Sequence, residues 1–170
     1  KQIANILNVK PYEIFFTSSG SESDNWAIKG TALSKKEFGN HIITSSVEHA
    51  AVSNSVRALE NLGFRITVLP VDKNGQVNPE DLKEALDKET ILVSIMGVNN
   101  EIGTIQPIKA ISKVLEDYPN VTFHVDNVQA LGKDVWDEVF TDRVDLMSLS
   151  AHKFHAPRGV GILYKKEGKM

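Results

Sequence analysis

Short runs rich in apolar and β-branched residues recur at 13–17, 41–45, 65–69, 91–96, 121–125, 145–150 and 160–165. Each has the length of a strand and is bounded by polar or turn-forming residues. Several are almost continuously apolar rather than alternating, the pattern of strands buried on both faces in a parallel sheet. Helical spacing fills most of the gaps. Residues 23–38 bring Trp26, Ala27, Gly30, Leu33 and Phe38 near one predicted stripe. Residues 50–62 predict a helix that stops at Gly63, a residue suited to the C′ position, with Phe64 following. Asn78-Pro79-Glu80-Asp81 reads as N-cap, proline at N1 and an acidic first turn for a helix to Leu86. Pro107 opens another, with Ile108, Ile111, Val114 and Leu115 directed inward, and 134–140 predicts a short one. Strands alternating with helices predict βαβ units and a mostly parallel sheet covered on both sides.

Composition narrows the function classes. The 170 residues suffice for one domain with a sizeable core. The formal net charge of −3, without any basic run, argues against a nucleic-acid partner. No apolar run approaches the ~20 residues of a membrane span. The chain has no cysteine, which removes disulfides, thiolate metal sites and a thiol nucleophile from these residues. It begins at Lys1 rather than Met and stops soon after the last strand-like run, so both ends are expected to be cut from something longer.

In open α/β sheets ligands bind beyond the carboxyl ends of the strands, so the residues there carry the chemistry. After the first strand, Thr17-Ser18-Ser19-Gly20-Ser21-Glu22-Ser23-Asp24 leads into a helix. Hydroxyls and free N–H groups at a helix start make an anion cup, although a plain capping box built on Ser19 or Ser21 reads equally well. The second strand runs into Glu48-His49, where the imidazole is either a helix cap or a site residue. The fourth is followed by Asn99-Asn100-Glu101, either turn chemistry or polar ligands. The fifth ends in Asp126-Asn127-Val128-Gln129. An acid there is costly to bury unless it is paired, and a helix N-cap is its structural alternative. The sixth ends in Ser150-Ala151-His152-Lys153. A lysine partly withdrawn from water can act as an amine nucleophile and form a Schiff base, whereas on an ordinary surface loop it does nothing special. A cofactor with a phosphate, a basic ring nitrogen and an aldehyde would use the whole set, and pyridoxal 5′-phosphate has all three.

The motifs 17–25, Glu48-His49, Val98-Asn99-Asn100-Glu101-Ile102-Gly103, His124-Val125-Asp126-Asn127-Val128-Gln129 and Ser150-Ala151-His152-Lys153-Phe154-His155 resemble those of the cysteine desulfurases. The likeness is closest to the NifS/IscS-like branch of the class V aminotransferase superfamily, nearly end to end and in the same order. It implies the α/β fold of the PLP fold type I large domain: a three-layer α/β/α sandwich with a mostly parallel seven-stranded sheet, whose last strand is antiparallel. It further implies that Lys153 holds pyridoxal 5′-phosphate as a Schiff base and shuttles protons. His49 would stack on the ring and serve acid/base steps, and Asp126 would pair with the ring nitrogen. Gln129 would donate to the phenolic oxygen, and Asn100 would add a contact. Gly20, Ser21, Ser150 and His152 would cradle the phosphate. The family converts L-cysteine to L-alanine and passes persulfide sulfur to an iron–sulfur scaffold or a thiolation factor. A cytoplasmic homodimer without nucleic-acid or membrane partners is implied.

Ser21 stands where the family usually has threonine and keeps the hydroxyl; Asn127 and Ala151 also depart from the usual pattern without removing a needed charge. In the family, the cysteine that receives sulfur and the arginine that grips the substrate carboxylate both follow the lysine at a distance. Residues 1–170 are therefore expected to be a partial PLP-binding large domain, without the N-terminal segment and C-terminal small domain, and inactive alone. Another class V enzyme, such as a selenocysteine lyase, a kynureninase-like hydrolase or an aminotransferase, is the nearest alternative. A non-catalytic domain that kept the fold is the more distant one.

Overall fold

The computed structural model describes residues 1–169. Seven strands form one sheet: β1 (Ile14–Thr17), β2 (His41–Ser45), β3 (Arg65–Leu69), β4 (Thr90–Met96), β5 (Thr122–Asp126), β6 (Leu146–Ser150) and β7 (Gly161–Lys165). Their spatial order is β1-β7-β6-β5-β4-β2-β3. Five of them run parallel from β6 to β3, while β7 pairs antiparallel with both β6 and β1. The mostly parallel seven-stranded sheet and its antiparallel last strand are as the sequence led us to expect. Each predicted strand is present to within one residue at either end.

Alternation along the central strands divides the core in two. Ile43, Val93, Ile95, Phe123, Val125, Met147 and Leu149 face one side. There they pack on α1 (Gln2–Leu7), α4 (Pro79–Ala85), α5 (Ile108–Glu116) and α6 (Trp136–Val139) through Leu7, Leu82, Ile108, Ile111, Leu115 and Val139. The other side carries α2 (Gly20–Ser34) and α3 (Ala50–Glu60), with Ile28, Ala32, Val52, Val56 and Leu59 against Ile42 and Leu92. The result is the expected three-layer sandwich. The cap at Asn78 is also as predicted: its side chain accepts from the Glu80 N–H, with Pro79 behind it. α1 was not anticipated, because six residues are too few to display a helical period.

α2 departs most from the sequence reading. It starts three residues earlier than predicted and stops at Ser34, and its buried face is Gly20, Ser23, Asp24, Ala27, Ile28, Thr31 and Ala32. The predicted stripe lies mostly outside: Trp26, Leu33 and Phe38 are exposed, and only Ala27 of that set is buried along with the helix. Two consequences of the sheet explain this. Its α2 side is polar towards the carboxyl ends, with Ser94, His124, Asp126, Ser148 and Ser150 all buried there. The helix that covers such a surface presents small and polar groups to it, so the apolar period is weak. Trp26 instead lies edge-on against Phe15 at the sheet border, 5.7 Å between ring centroids.

The register fixes what meets at the strand ends. Met96, Asp126 and Ser148 lie in one row, and Ser150, Gly161 and Thr17 in another. The start of α2 folds directly over Gly161, where a Cβ would stand 2.3 Å from the carbonyl carbon of Ser19 and 2.4 Å from its oxygen. Only glycine lets the backbone approach that closely. Replacing Gly161 with alanine is therefore expected to cost at least about 2 kcal/mol in chemical denaturation. It should also lift the N-terminus of α2 from the sheet. An unchanged denaturation midpoint would mean that this contact is looser than described.

Candidate active site

A cavity of about 290 Å³ opens over the carboxyl ends of β4, β5 and β6. That is close to the lower end of the ~300–1,000 Å³ usual for small-molecule sites. It is lined by Gly20, Ser21, His49, Asn100, Asp126, Gln129, Ser150, His152 and Lys153, so every residue singled out from the sequence converges on it. Asp24, Met96 and Val98 also line it.

The anion side is built from two elements. Ser19 caps α2 by accepting from the Glu22 N–H at 3.2 Å, and Glu22 reaches back to the N–H and hydroxyl of Ser18. The cap of the first reading is present, and the groups of the second stand beside it. The cap uses Ser18, Ser19 and Glu22, which leaves Gly20 and Ser21 to face the cavity. Gly20 sits close under Val128: a Cβ there would come within 2.7 Å of Val128 Cγ2. Beside Gly20, Ser150 Oγ and His152 Nδ1 are hydrogen-bonded at 3.0 Å. Helix N–H groups, two hydroxyls and an imidazole are a donor set for a phosphate-like anion.

The two asparagines divide the alternatives between them. Asn99 is buried and builds its turn, with Oδ1 accepting from the N–H groups of Glu101 and Ile102 and Nδ2 donating to the Val47 carbonyl. Asn100 is exposed at the cavity wall. His49 caps a helix and also lines the cavity. Its Nδ1 accepts from the Ala51 N–H at 3.1 Å and caps α3, which leaves the proton of the neutral ring on Nε2.

Asp126 forms the floor. It is buried, and its Oδ1 accepts from the Val128 N–H at 3.0 Å, an Asx turn rather than the helix cap considered above. Burial pushes its carboxyl up, while the Val128 bond, His49 and Lys153 pull it down. Lys153 is not withdrawn from water as the sequence suggested. It lies exposed on a 3-10 turn, Ala151–Phe154, at the cavity lip, because the loop from β6 to β7 carries it outward from the strand end. An amine at the lip, an acid on the floor and an anion cup at one side can hold a ligand that is nucleophile-reactive, basic and anionic at three separate points.

Beneath the lining lies a group of buried polar residues that sequence reasoning missed as a unit. His124 is fully buried, and burial drops its pKa to about 3, so the ring is neutral. Its Nδ1 bonds Ser94 Oγ at 2.8 Å and its Nε2 bonds Ser148 Oγ at 2.9 Å. Glu48 Oε1 accepts from Ser45 Oγ and the Met96 N–H, while its Oε2 is cut off from water without a partner. Burial raises Glu48 to about 8. The signal was present in the sequence as polar residues at alternate positions, Thr122/His124/Asp126 and Ser148/Ser150, inside runs otherwise read as apolar on both faces.

A carboxyl whose folded-state pKa is raised stabilises the fold fully below its unfolded value, and this stability is lost as pH rises through the folded value. Wild-type protein should therefore lose stability relative to Glu48→Gln between about pH 4.5 and about 8. The slope approaches about 1.4 kcal/mol per pH unit. Denaturation midpoints of both proteins across that range check this, and parallel curves would show that Glu48 keeps its charge.

The aminotransferase class-V family model matches residues 1–170. A NifS/IcsS protein homolog of Lactobacillus delbrueckii subsp. bulgaricus is 73% identical over 170 residues, covering 100% of this chain and 44% of that protein. The cysteine desulfurase IscS of Clostridium botulinum is 52% identical over 168 residues, 99% of this chain and 42% of its own length. Among solved structures, a NifS-like protein superposes with a TM-score of 0.91 at 42% identity, covering 98% of this chain and 46% of that one. The chain thus spans less than half the length of the relatives it matches. With its sandwich, its strand-end cavity and this likeness along its whole length, the chain belongs to the class V aminotransferase family.

Proposed function

We propose that these residues are the cofactor-binding part of a pyridoxal-phosphate-dependent cysteine desulfurase, a partial large domain of the longer proteins it resembles. The observation that carries this reading is the convergence of Lys153, Asp126 and the Gly20/Ser21/Ser150/His152 cup on one cavity. The fit is chemical as well as spatial. The phosphate matches the start of α2 and the hydroxyls beside it, and the ring nitrogen matches the buried acid Asp126. The aldehyde matches the amine of Lys153. The missing side chain at Gly20 leaves room where a Cβ would crowd Val128 and Ser150. The relatives named cysteine desulfurases support L-cysteine as substrate.

Bound there, pyridoxal phosphate supplies an electron sink that makes the substrate α-proton acidic. The chain's own residues prepare that chemistry. Gly20, Ser21, Ser150 and His152 fix the anion and with it the orientation of the ring. Asp126 holds a proton on the ring nitrogen, in a site dry enough to strengthen the pairing. Gln129 and Asn100 supply polar contacts at the ring edge. His49 covers one face, and its capped Nδ1 leaves Nε2 to carry the proton there. Lys153 would anchor the cofactor through its amine, and the same amine, when free, would be the base placed to move the substrate α-proton. Sulfur acceptance requires a thiol, and these residues contain none. In this reading it comes from elsewhere in the protein, which works as a cytoplasmic homodimer and hands sulfur to an iron–sulfur scaffold or thiolation factor. Among the described residues, no helix is long and apolar enough to cross a membrane.

Borohydride reduction of the chain after incubation with pyridoxal phosphate should leave one pyridoxyl group on Lys153, found by peptide mapping and lost in Lys153→Ala. A label elsewhere, or none, would overturn the assignment. The 170-residue chain should release no alanine from L-cysteine, and measurable release would refute the need for an external thiol.

A further inference from the structure

Asp24 has no part in the function proposed above. It lies on the buried face of α2 and lines the same cavity as Asp126. Its Oδ1 is buried without any hydrogen-bond partner. The Ser148 hydroxyl nearby favours its charge and is itself bonded to His124 Nε2. His124 Nε2 lies 3.6 Å from Asp24 Oδ1, too far for a hydrogen bond, and the neutral ring offers no ion pair. Facing Asp24 are two more carboxyls, Asp126 from β5 and Glu48 from the loop after β2, and each opposes its ionisation. Burial pushes it further the same way, to well above the ordinary carboxylate range.

Asp126 is placed differently. Burial pushes its carboxyl above the ordinary value too, but it accepts a backbone N–H and faces His49 and Lys153, all of which favour its charge, and Asp24 has no such set. Two carboxyls that feel each other cannot both ionise cheaply in a buried site, and environments that differ decide which keeps the proton.

We propose that Asp24 is a positioning residue for the ring-nitrogen site: a buried carboxyl that keeps its proton and so makes Asp126 the acid of the floor that carries charge to the ligand. Asp24 touches neither substrate nor the reacting atoms in this role. It acts through Asp126, and it lies beside the His124–Ser148 pair beneath the floor, with Oδ1 3.6 Å from His124 Nε2. The inference rests on the cofactor reading, but its first test does not.

Infrared spectra of the full-length protein without cofactor, at neutral pH, should contain the carbonyl stretch of a neutral carboxylic acid that disappears in Asp24→Asn. A Glu48→Gln variant identifies the contribution of Glu48. In Asp126→Asn, the Asp24 band should titrate away at lower pH, because the opposing charge is gone. Pyridoxal phosphate titrations, read by absorbance, then separate proton from charge. Asp24→Leu, which removes the polar group beside Asp126, should bind about tenfold more weakly. Asp24→Asn, which keeps the neutral polar group, should restore most of that loss, whereas Asp126→Asn should be weaker by about tenfold or more. An Asp24 that is ionised at neutral pH, or an Asp24→Asn variant as weak as Asp126→Asn, would overturn the proposal. Failure of the wild-type protein to take up the cofactor would defeat the function reading instead, and the infrared result would stand by itself.

Discussion

Everything at the strand ends depends on how α2 lies against the sheet. A helix usually docks by an apolar stripe, but the central strands offer α2 hydroxyls, an imidazole and a carboxyl over half its length. Burying such groups is tolerable only when nearly all of them find partners. The Ser94–His124–Ser148 chain meets that demand within the sheet, and Thr17 and Ser23 meet it at 2.8 Å where the helix begins. Once those bonds are made, the helix has little freedom to slide. Its first N–H groups are then held over the row Ser150–Gly161–Thr17. Directional bonds set the position of the cup more tightly than apolar contact, which is indifferent to small shifts, would do.

The strands were legible in the sequence because a central parallel strand needs apolar residues on both faces, and that leaves an unmistakable run. The residues that line the cavity were legible for a related reason: polar side chains at the ends of such runs have nowhere to go but a cavity or a cap. What was not legible follows from the same physics. The orientation of α2 could not be read because its partner surface is polar, so Trp26 and Phe38 looked buried and are exposed. Asp24 and His124 were hidden inside segments assigned to a motif or a strand, and their meaning comes from being brought together across the sheet. The outward course of the Lys153 turn is set by the loop from β6 to β7, which carries no periodic signal.

Several motifs combine a structural residue with one that faces the cavity. Ser19, His49 and Asn99 each satisfy a backbone terminus or turn, and beside each stands a group that faces the cavity. Helix starts and strand ends are where orphan N–H groups accumulate. The chain quiets some of them with its own side chains and leaves others for a ligand. For that reason the structural and the functional readings of these motifs were never true competitors.

The place of β7 has a further consequence for the order of assembly. β1 has a single partner in the sheet, and that partner is the last strand: Ile14 pairs with Tyr164 and Thr17 with Gly161. Joining segments so distant in sequence carries a large loop-closure cost and comes late in folding. During synthesis β1 must wait for β7 to emerge, and α2 must wait with it. The anion cup is therefore finished only when the strand beyond the Lys153 turn has been made. The start of α2 and the Lys153 turn thus meet at the cavity only with β7 in place between β1 and β6.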